Sequence, residues 1–388
     1  MFYQLPPAGN RLCLSGAGKT ESSQESVFSP YKPVFYHSGT ASLAAAIAAA
    51  IRNKPVEAPE VILPAYGCPD IVSAAVFAGA KPVLVDLEND RPWMNLERLS
   101  ASINCNTVAV VAVDLLGIPE RIATIRNIVD PADVLLIEDS AQSFPLHLEK
   151  PFWGGDLVVL SFGRGKPVTL LGGGAVLVRH PALGRLLPEG TSQYGAGRLF
   201  RLTALLYNLM SSPYLYWIPQ GLPFLHLGDT RYHPLNAIRT MDPARLQLLD
   251  SNVSKYQHDK NDVQVALADL AKETSGSGVV IDLPGACRVQ PHRRLLRYPL
   301  LIQAEWRDRV FHRLRNAGLG PSFLYPSSLP RIHGLENLLQ GQMDFPAADA
   351  FARRLLTLPT HEGVRNADIG KIREILVADF SERLIQTF

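Results

Sequence analysis

The sequence has 388 residues, of which 47% are hydrophobic and 19% charged, with a formal net charge of +2 at pH 7. A chain of this length is longer than one compact hydrophobic core usually accommodates, so we expect two domains. The small net charge argues against a basic nucleic-acid-binding surface. The four cysteines lie far apart without a CxxC pair, which argues against a zinc site or a disulfide framework and favours a reducing compartment.

The first 33 residues are rich in Pro, Gly, Ser and Gln and predict an irregular N-terminal arm, residues 1–33. The arm lacks the basic start and continuous apolar run of a secretory signal, and the chain contains no uninterrupted run of about 18 apolar residues. We therefore expect a cytoplasmic protein. The Ala-rich segment at 41–53 then predicts a helix, with Ser38 or Thr40 as its N-cap.

Apolar runs rich in Val and Leu alternate with helical segments over the next part of the chain. Because these runs lack polar alternation, they indicate strands buried on both faces, and we predict a mostly parallel sheet sandwiched by helices. Ligands bind outside the carboxyl ends of such strands, where Tyr66, Asp139 and Ser161 lie. The predicted strands are 61–66, 81–87, 107–116, 133–141, 157–162 and 174–179.

An apolar and aromatic insertion at about 195–235 breaks this alternation, and Arg201, Asn208 and two prolines interrupt it. Its most apolar part, 199–227, leaves two interpretations open. The segment either packs at a dimer or domain interface, or makes peripheral contact with a membrane or a lipid-linked substrate.

A smaller C-terminal α/β domain is predicted after this insertion. A helix over 244–271 leads into it, and the apolar run at 297–303 predicts a strand. The following helix is expected to end at Gly318, since glycine is common just after a helix. We therefore expect a large α/β domain at 34–240, and a linking helix with a small domain at 241–388.

Two segments carry candidate catalytic residues. IEDSAQS (137–143) places Glu138 and Asp139 at the end of an apolar strand, where a carboxylate either needs a partner or caps the next helix. SFGRGKPVTLLGGG (161–174) places Lys166 in a Gly-rich turn. Such a turn lets a lysine reach inward while the backbone approaches a ligand closely, although an isolated lysine is ordinarily a surface residue.

These segments recur together in one known family. In order and spacing, SGT (38–40), PAY (64–66), AGAKPVLVD (78–86), IEDSAQS and the Ser161–Lys166 segment resemble the DegT/DnrJ/StrS family of pyridoxal-phosphate (PLP)-dependent sugar aminotransferases. The resemblance implies the fold-type I architecture, with a mostly parallel seven-stranded sheet and a smaller C-terminal domain. It also implies PLP as cofactor and transfer of an amino group from glutamate to a nucleotide-linked keto sugar, in glycan or secondary-metabolite biosynthesis.

The resemblance assigns a role to each matching residue. Lys166 binds the cofactor aldehyde covalently and shuttles a proton, whereas Asp139 keeps the ring nitrogen protonated. Gln142 lies near the 3-hydroxyl group of the ring. The residues that hold the phosphate at a helix N-terminus are Gly39, Thr40, Ala41 and Ser161.

Several positions depart from the family pattern. The aromatic residue that stacks on the cofactor ring is replaced by Cys68, so either Cys68 or Tyr66 faces the ring. The segment that reaches the partner subunit's phosphate has no clear counterpart; Asn236 and Arg239 are the nearest candidates, and ordinary loop residues are equally consistent. Fold-type I enzymes generally place the active site at a dimer interface, so the resemblance implies a homodimer with a shared active site.

Three hypotheses follow from these motifs and departures. The first is a sugar aminotransferase, which retention of Lys166 favours because a related dehydratase branch carries histidine there. The second is a PLP enzyme of the same fold that acts on a non-sugar or lipid-linked keto substrate. It is favoured by four departures from the family's usual residues: Cys68 for an aromatic residue, Gly163 for His, Pro167 for Asn and Gly172 for Glu. The third is a non-catalytic relative, against which the pair of Lys166 and Asp139 argues.

Overall fold

The computed structural model describes residues 3–15, 28–146, 152–192, 197–222, 228–260, 262–276, 278–290 and 292–386. Parts of three predicted segments lie outside the described residues: 1–2 and 16–27 of the N-terminal arm, 195–196 and 223–227 of the apolar insertion, and 261 of the predicted linking helix.

Seven strands form the larger sheet. They are β1 (Lys32–Tyr36), β2 (Glu60–Pro64), β3 (Lys81–Val85), β4 (Thr107–Val113), β5 (Leu135–Asp139), β6 (Leu157–Ser161) and β7 (Gly174–Val178). Their order in the sheet is β1-β7-β6-β5-β4-β2-β3. Strands β2 to β6 run parallel, whereas β7 is antiparallel to β6 and β1 is antiparallel to β7. The predicted mostly parallel sheet is confirmed. With β7 antiparallel to both neighbours, β1 and β6 end at the same edge of the sheet on either side of β7.

Helices cover this sheet. They are α1 (Gly39–Asn53), α2 (Asp70–Phe77), α3 (Leu96–Ser102), α4 (Ile122–Val129) and α5 (Pro181–Gly184), with short 3-10 turns at Leu115–Gly117 and Asp130–Ala132. The Ala-rich helix α1 is buried along most of its length and packs against α2, β6 and β7. Because alanine side chains end at Cβ, α1 lies close to the sheet, and its N-terminus reaches the carboxyl end of β6.

The apolar insertion contains a helix that the sequence pattern does not predict. It forms α6 (Gly197–Met210) and the short α7 (Trp217–Gln220). Asn208, which interrupts the apolar pattern, does not end α6, because its side chain accepts from the Leu12 N–H and donates to the Leu12 carbonyl, both at 2.8 Å. Among the described residues, no helix has both the length and the apolar character required to cross a bilayer.

The remaining elements surround a second, antiparallel sheet of order β10-β9-β8. Its strands are β8 (Val280–Asp282), β9 (Arg297–Ile302) and β10 (Leu355–Pro359). The helices are α8 (Pro243–His258), α9 (Asp262–Ser275), α10 (Leu283–Ala286), α11 (Ala304–Asn316), α12 (Pro346–Arg354) and α13 (Asn366–Gln386), with a 3-10 turn at Leu329–Arg331. One hydrophobic cluster joins residues of both sheets. The predicted boundary between residues 240 and 241 stays a prediction.

The single helix predicted over 244–271 is wrong, because two helices occupy this segment. Helix α8 ends at His258, and the next residue, Asp259, has an extended backbone with φ −71° and ψ 140°. The guanidinium of Arg294 donates to the carbonyls of Asp259 and Lys260 at 2.8 and 2.9 Å. These bonds satisfy carbonyl groups that a continuous helix would have used internally.

The predicted irregular arm is wrong at its end, because Lys32 and Pro33 already belong to β1 and pair with β7. Residues 3–15 contain no helix or strand but are bound to the rest of the protein. Leu5 and Leu12 are buried, and the Leu5 N–H donates to the Gly318 carbonyl at 2.8 Å. Gly318 ends α11 with φ +75°, as predicted. A Cβ at this position would lie 2.5 Å from the Tyr3 carbonyl oxygen, so the arm also requires glycine there.

Candidate active site

A cavity of about 230 Å³ lies at the carboxyl ends of β5 and β6, beside the N-terminus of α1. Parallel strands present their carboxyl ends at one edge of a sheet, and this edge is where ligands bind in α/β proteins. The cavity wall contains most of the sequence-predicted site residues, which are Gly39, Thr40, Cys68, Asp139, Gln142, Ser161 and Lys166.

The N-terminus of α1 forms one end of this cavity. Ser38 is the N-cap, with an extended backbone and a side chain that accepts from the Ala41 N–H at 3.1 Å. A Cβ on Gly39 would lie 2.6 Å from the Ser161 Cβ and 2.7 Å from its Oγ, so only glycine allows β6 to end this close to the helix. The result is a hydroxyl group beside a helix N-terminus, where an anion is favoured.

Asp139 ends β5 and contributes a buried carboxylate to the cavity wall. Its Oδ1 accepts from the Ala141 N–H at 3.0 Å. Burial raises the pKa of Asp139, and this N–H and the positive charge of Lys166 oppose the rise. A buried carboxylate that interacts with a cation in the same cavity can hold a proton on a bound basic group.

Lys166 is carried by a short turn that begins at Gly163. The Lys166 N–H donates to the Gly163 carbonyl at 3.3 Å, and Thr169 Oγ1 donates to the same carbonyl at 3.0 Å. The N-terminal arm covers this turn, since Asn10 Nδ2 donates to the Lys166 carbonyl at 3.4 Å. Gly165 has φ +70°, and a Cβ there would lie 3.0 Å from the Ala8 Cβ. These contacts fix the lysine backbone and leave its side chain in the cavity wall.

Gln142 connects the cavity to the C-terminal part of the chain. Its Oε1 accepts from the Leu116 N–H at 2.9 Å, and its Nε2 donates to the Tyr325 hydroxyl at 3.0 Å. Tyr325 also interacts with the thiol of Cys68. Burial, followed by the charge of Asp70, raises the pKa of Cys68 to about 12, although Lys166 opposes the rise. Cys68 therefore remains a neutral thiol and can only offer a small polarizable surface to a ligand.

Three of the predicted site residues do not contribute side chains to the cavity wall as the structure describes it. Ala41 is buried within α1, and its N–H is already bonded to Ser38. Tyr66 is buried, with its hydroxyl donating to the Tyr325 carbonyl at 2.9 Å. Asn236 lies in an exposed stretch of chain, and so does Arg239, whose backbone bonds to His37. Of the two candidates for the ring-facing position, the structure thus places Cys68, not Tyr66, at the cavity.

Two further residues at this site were not found from the sequence. Asp70 lines the cavity, and its Oδ2 accepts from Thr40 Oγ1 at 3.0 Å. Its position one residue after Pro69, at the start of α2, could have suggested a polar group at the end of β2. Tyr325 contacts Gln142 across 183 positions of the chain, and no local pattern predicts such a pairing.

The acid that precedes Asp139 lies on the opposite face of β5. Glu138 Oε2 accepts from the N–H groups of Gly154 and Gly155 at 2.7 and 2.8 Å. Burial and the nearby charge of Asp114 raise the pKa of Glu138. Successive strand residues face opposite sides, so only one of the two adjacent acids reaches the cavity. Glu138 caps no helix and instead fixes the loop that enters β6.

The residues of the cavity fit the PLP group that the sequence implies. A lysine amine and a buried carboxylate share the cavity wall, which are the groups that an aldehyde and a basic ring nitrogen require. The close approach that Gly39 permits brings the Ser161 hydroxyl to the N-terminus of α1, where a phosphate is favoured. Both ends of the cofactor therefore have matching partners.

Comparison with known proteins gives concordant results. Residues 13–188 match the DegT/DnrJ/EryC1/StrS aminotransferase family. The chain is 25% identical over 320 residues to UDP-N-acetyl-3-dehydro-alpha-D-glucosamine 3-aminotransferase of Acidithiobacillus ferrooxidans, covering 82% of this chain and 76% of that protein. It is 30% identical over 129 residues to GDP-perosamine synthase of Escherichia coli O157:H7, covering 33% and 35% of the two chains.

Solved structures share the fold at lower identity. The aminotransferase from Psychrobacter cryohalolentis superposes with a TM-score of 0.70 and 17% identity, over 93% of this chain and 90% of that chain. The sugar aminotransferase CalS13 from Micromonospora echinospora gives a TM-score of 0.66 and 18% identity, over 96% and 99%. These superpositions confirm the predicted fold-type I architecture.

Proposed function

We propose that the chain is a member of the DegT/DnrJ/EryC1/StrS aminotransferase family, to which residues 13–188 match, and that it transfers an amino group from glutamate to the keto group of a nucleotide-linked sugar. It is a PLP-dependent aminotransferase, as the sequence predicts. The names of two relatives support the proposed acceptor: one contains a UDP-linked 3-dehydro sugar, and the other a GDP-linked sugar.

The observation that carries the proposal is the joint position of Lys166 and Asp139 in one cavity wall. PLP, when bound, supplies an electron sink that allows an amino group to be exchanged between donor and acceptor. The amine of Lys166 binds the cofactor and moves a proton at its Nζ atom. The carboxylate of Asp139 holds a proton on the ring nitrogen, because a buried anion favours the adjacent cation.

The remaining residues of the wall orient the cofactor. Ser161 and the N–H groups of Gly39 and Thr40 at the start of α1 hold the phosphate, and Gly39 allows Ser161 to lie this close to the helix. Gln142 has its amide fixed between Leu116 and Tyr325, so it can present one side of its plane to the ring. Cys68 takes the place of the usual stacking aromatic residue.

A lipid-linked keto acceptor is the second candidate, and a specific observation favours it. Helix α6 exposes a row of leucines on the surface, which a soluble acceptor does not require. A non-catalytic function has less support, because a buried carboxylate beside a lysine is costly unless a ligand uses the pair.

We also propose that the protein acts as a homodimer with a shared active site, as the family resemblance implies. Size-exclusion chromatography with light scattering measures this directly, and a monomeric mass would contradict it. The cytoplasmic location stays a prediction.

The proposed activity is tested with a panel of UDP- and GDP-linked keto sugars, each incubated with glutamate and the PLP-loaded enzyme. Mass spectrometry should detect an amino sugar nucleotide from at least one of them, and 2-oxoglutarate in equal amount. The matched control is Lys166→Ala, which should give neither product. If the wild type transfers the amino group of glutamate to a lipid-linked keto compound and to none of the nucleotide sugars, the second candidate replaces the first.

A further inference from the structure

Helix α6 has two apolar faces, and one of them points away from the protein. On the inner face, Phe200 and Ala204 are buried. On the outer face, leucines recur at helical spacing and are between 52% and 70% exposed, which is unusual for five large apolar side chains in one row. These residues, the leucine face, are Leu199, Leu202, Leu205, Leu206 and Leu209.

Contacts on the inner side hold the leucine face in this outward orientation. Asn208 bonds twice to the backbone of Leu12, and the guanidinium of Arg245 lies 4.5 Å from the centre of the Phe200 ring. These bonds fix the rotation of α6 about its axis. Exposure of the leucines is therefore a property of the folded chain and does not result from a loosely attached helix.

The charge of this segment indicates what covers the leucine face. Residues 190–228 contain no Asp or Glu, and their two charged side chains are Arg198 and Arg201. Arg201 is exposed on α6 beside the leucines. Tyr214 and Trp217 follow and are 61% and 40% exposed, and these two residue types are enriched where membranes meet water.

We propose that α6 docks on the surface of a bilayer that contains anionic lipids, with the leucine face in the interfacial layer and Arg201 near the lipid phosphates. An amphipathic helix with this composition binds in the plane of a membrane through apolar burial and attraction to anionic headgroups. A second copy fits less well. If α6 met α6 of a second copy in a twofold contact, the same segment would lie on both sides, and residues 190–228 supply no acid to pair with Arg201.

Docking through α6 would place the active site next to the membrane. Tyr207, on the inner side of α6, interacts with the charge of Arg164 and the backbone of Gly165. These two residues directly precede Lys166 in its turn. The inference goes beyond the proposed aminotransfer, because it concerns where the enzyme acts and holds for either acceptor.

The test is sedimentation of the full-length PLP-loaded protein with vesicles, either of phosphatidylcholine or of phosphatidylcholine with about 30% phosphatidylglycerol. The wild type should sediment with the anionic vesicles and release at high salt. The variant Leu202→Gln/Leu206→Gln/Leu209→Gln should bind the anionic vesicles more weakly by a factor of at least about ten. The matched control replaces three exposed apolar residues elsewhere, Val265, Leu338 and Met343, with Gln and should bind like the wild type.

Arg201→Gln measures the contribution of the positive charge apart from that of the leucines. It should weaken binding to anionic vesicles and leave binding to phosphatidylcholine vesicles unchanged. The leucines are already exposed, so their replacement should leave cofactor absorbance and aminotransfer to a soluble acceptor unchanged; the proposed activity is thus measured independently of docking. Wild-type protein that stays in the supernatant with both vesicle types would overturn the inference. A triple leucine variant that binds vesicles as well as the wild type would also overturn the inference. The inference would likewise be overturned if the triple variant became monomeric while neither it nor the wild type bound vesicles, because the leucine face would then be a dimer contact.

Discussion

Gly39→Ala tests the close approach of α1 and β6 that forms the phosphate end of the cavity. Within a helix, alanine in place of glycine ordinarily stabilises a protein by about 1 kcal/mol. Here the added Cβ would lie 2.6 Å from the Ser161 Cβ and 2.7 Å from its Oγ. Overpacking of this kind costs up to about 3 kcal/mol. We therefore expect Gly39→Ala to lower the free energy of unfolding by about 2 kcal/mol and to weaken cofactor binding.

A double-mutant cycle isolates the contact. Without the Ser161 side chain, the nearest atom to the new Cβ is the Ser161 Cα at 3.4 Å, an ordinary contact. On a Ser161→Gly background, Gly39→Ala should then be neutral or should stabilise by up to about 1 kcal/mol. Gly67→Ala is the matched control, because its nearest neighbour is the end of the Ile71 side chain at 3.4 Å.

Urea unfolding of the cofactor-free protein gives these free energies without the contribution of ligand binding. Titration with PLP, followed by visible absorbance, gives the affinity. If Gly39→Ala is as stable as the wild type and binds the cofactor equally well, the proposed role of the close contact between Gly39 and Ser161 is refuted.

Three further predictions concern Lys166 and the two acids at the end of β5. Lys166→Ala should abolish turnover in a coupled glutamate assay, and retention of a near-wild-type rate would rule out its assigned role. Asp139→Asn should lower kcat by about 10² to 10³, whereas Glu138→Gln, one residue earlier but on the other face of β5, should retain most activity; equal losses would argue against the assigned difference. Because burial raises the pKa of Glu138 above its usual 4.5, the folded state holds this proton more tightly than the unfolded state. Its contribution to stability is full below that usual value and is lost as pH rises through the raised pKa, so Tm should fall between about pH 5 and about pH 9, and less steeply in Glu138→Gln; identical profiles would contradict this.

The strands of the large sheet are predicted well from the sequence where they are buried on both faces. The run at 107–116 contains β4, and 157–162 contains β6. Strand β1 is missed because it lies at the sheet edge and begins within the predicted arm, and its five residues, KPVFY, carry two polar or breaking positions at the start. Local pattern is weak there, and pairing with β7 determines the conformation.

The site is predicted to the extent that its residues lie in short segments near strand ends. Lys166, Asp139 and Ser161 come from such segments and meet in one cavity. Tyr66 also follows a strand end, but it is buried outside the cavity wall, with its hydroxyl bonded to the Tyr325 carbonyl. Tyr325 itself comes from the C-terminal part of the chain, so the sequence alone gives no sign of the contact.

The central claim is that Lys166 binds the cofactor aldehyde covalently. Borohydride reduction of the PLP-loaded protein makes such a bond permanent, and peptide mass spectrometry then identifies the modified lysine. The cofactor mass should appear on the peptide that contains Lys166. Its appearance on another lysine, or on none while the cofactor is bound, would contradict the account.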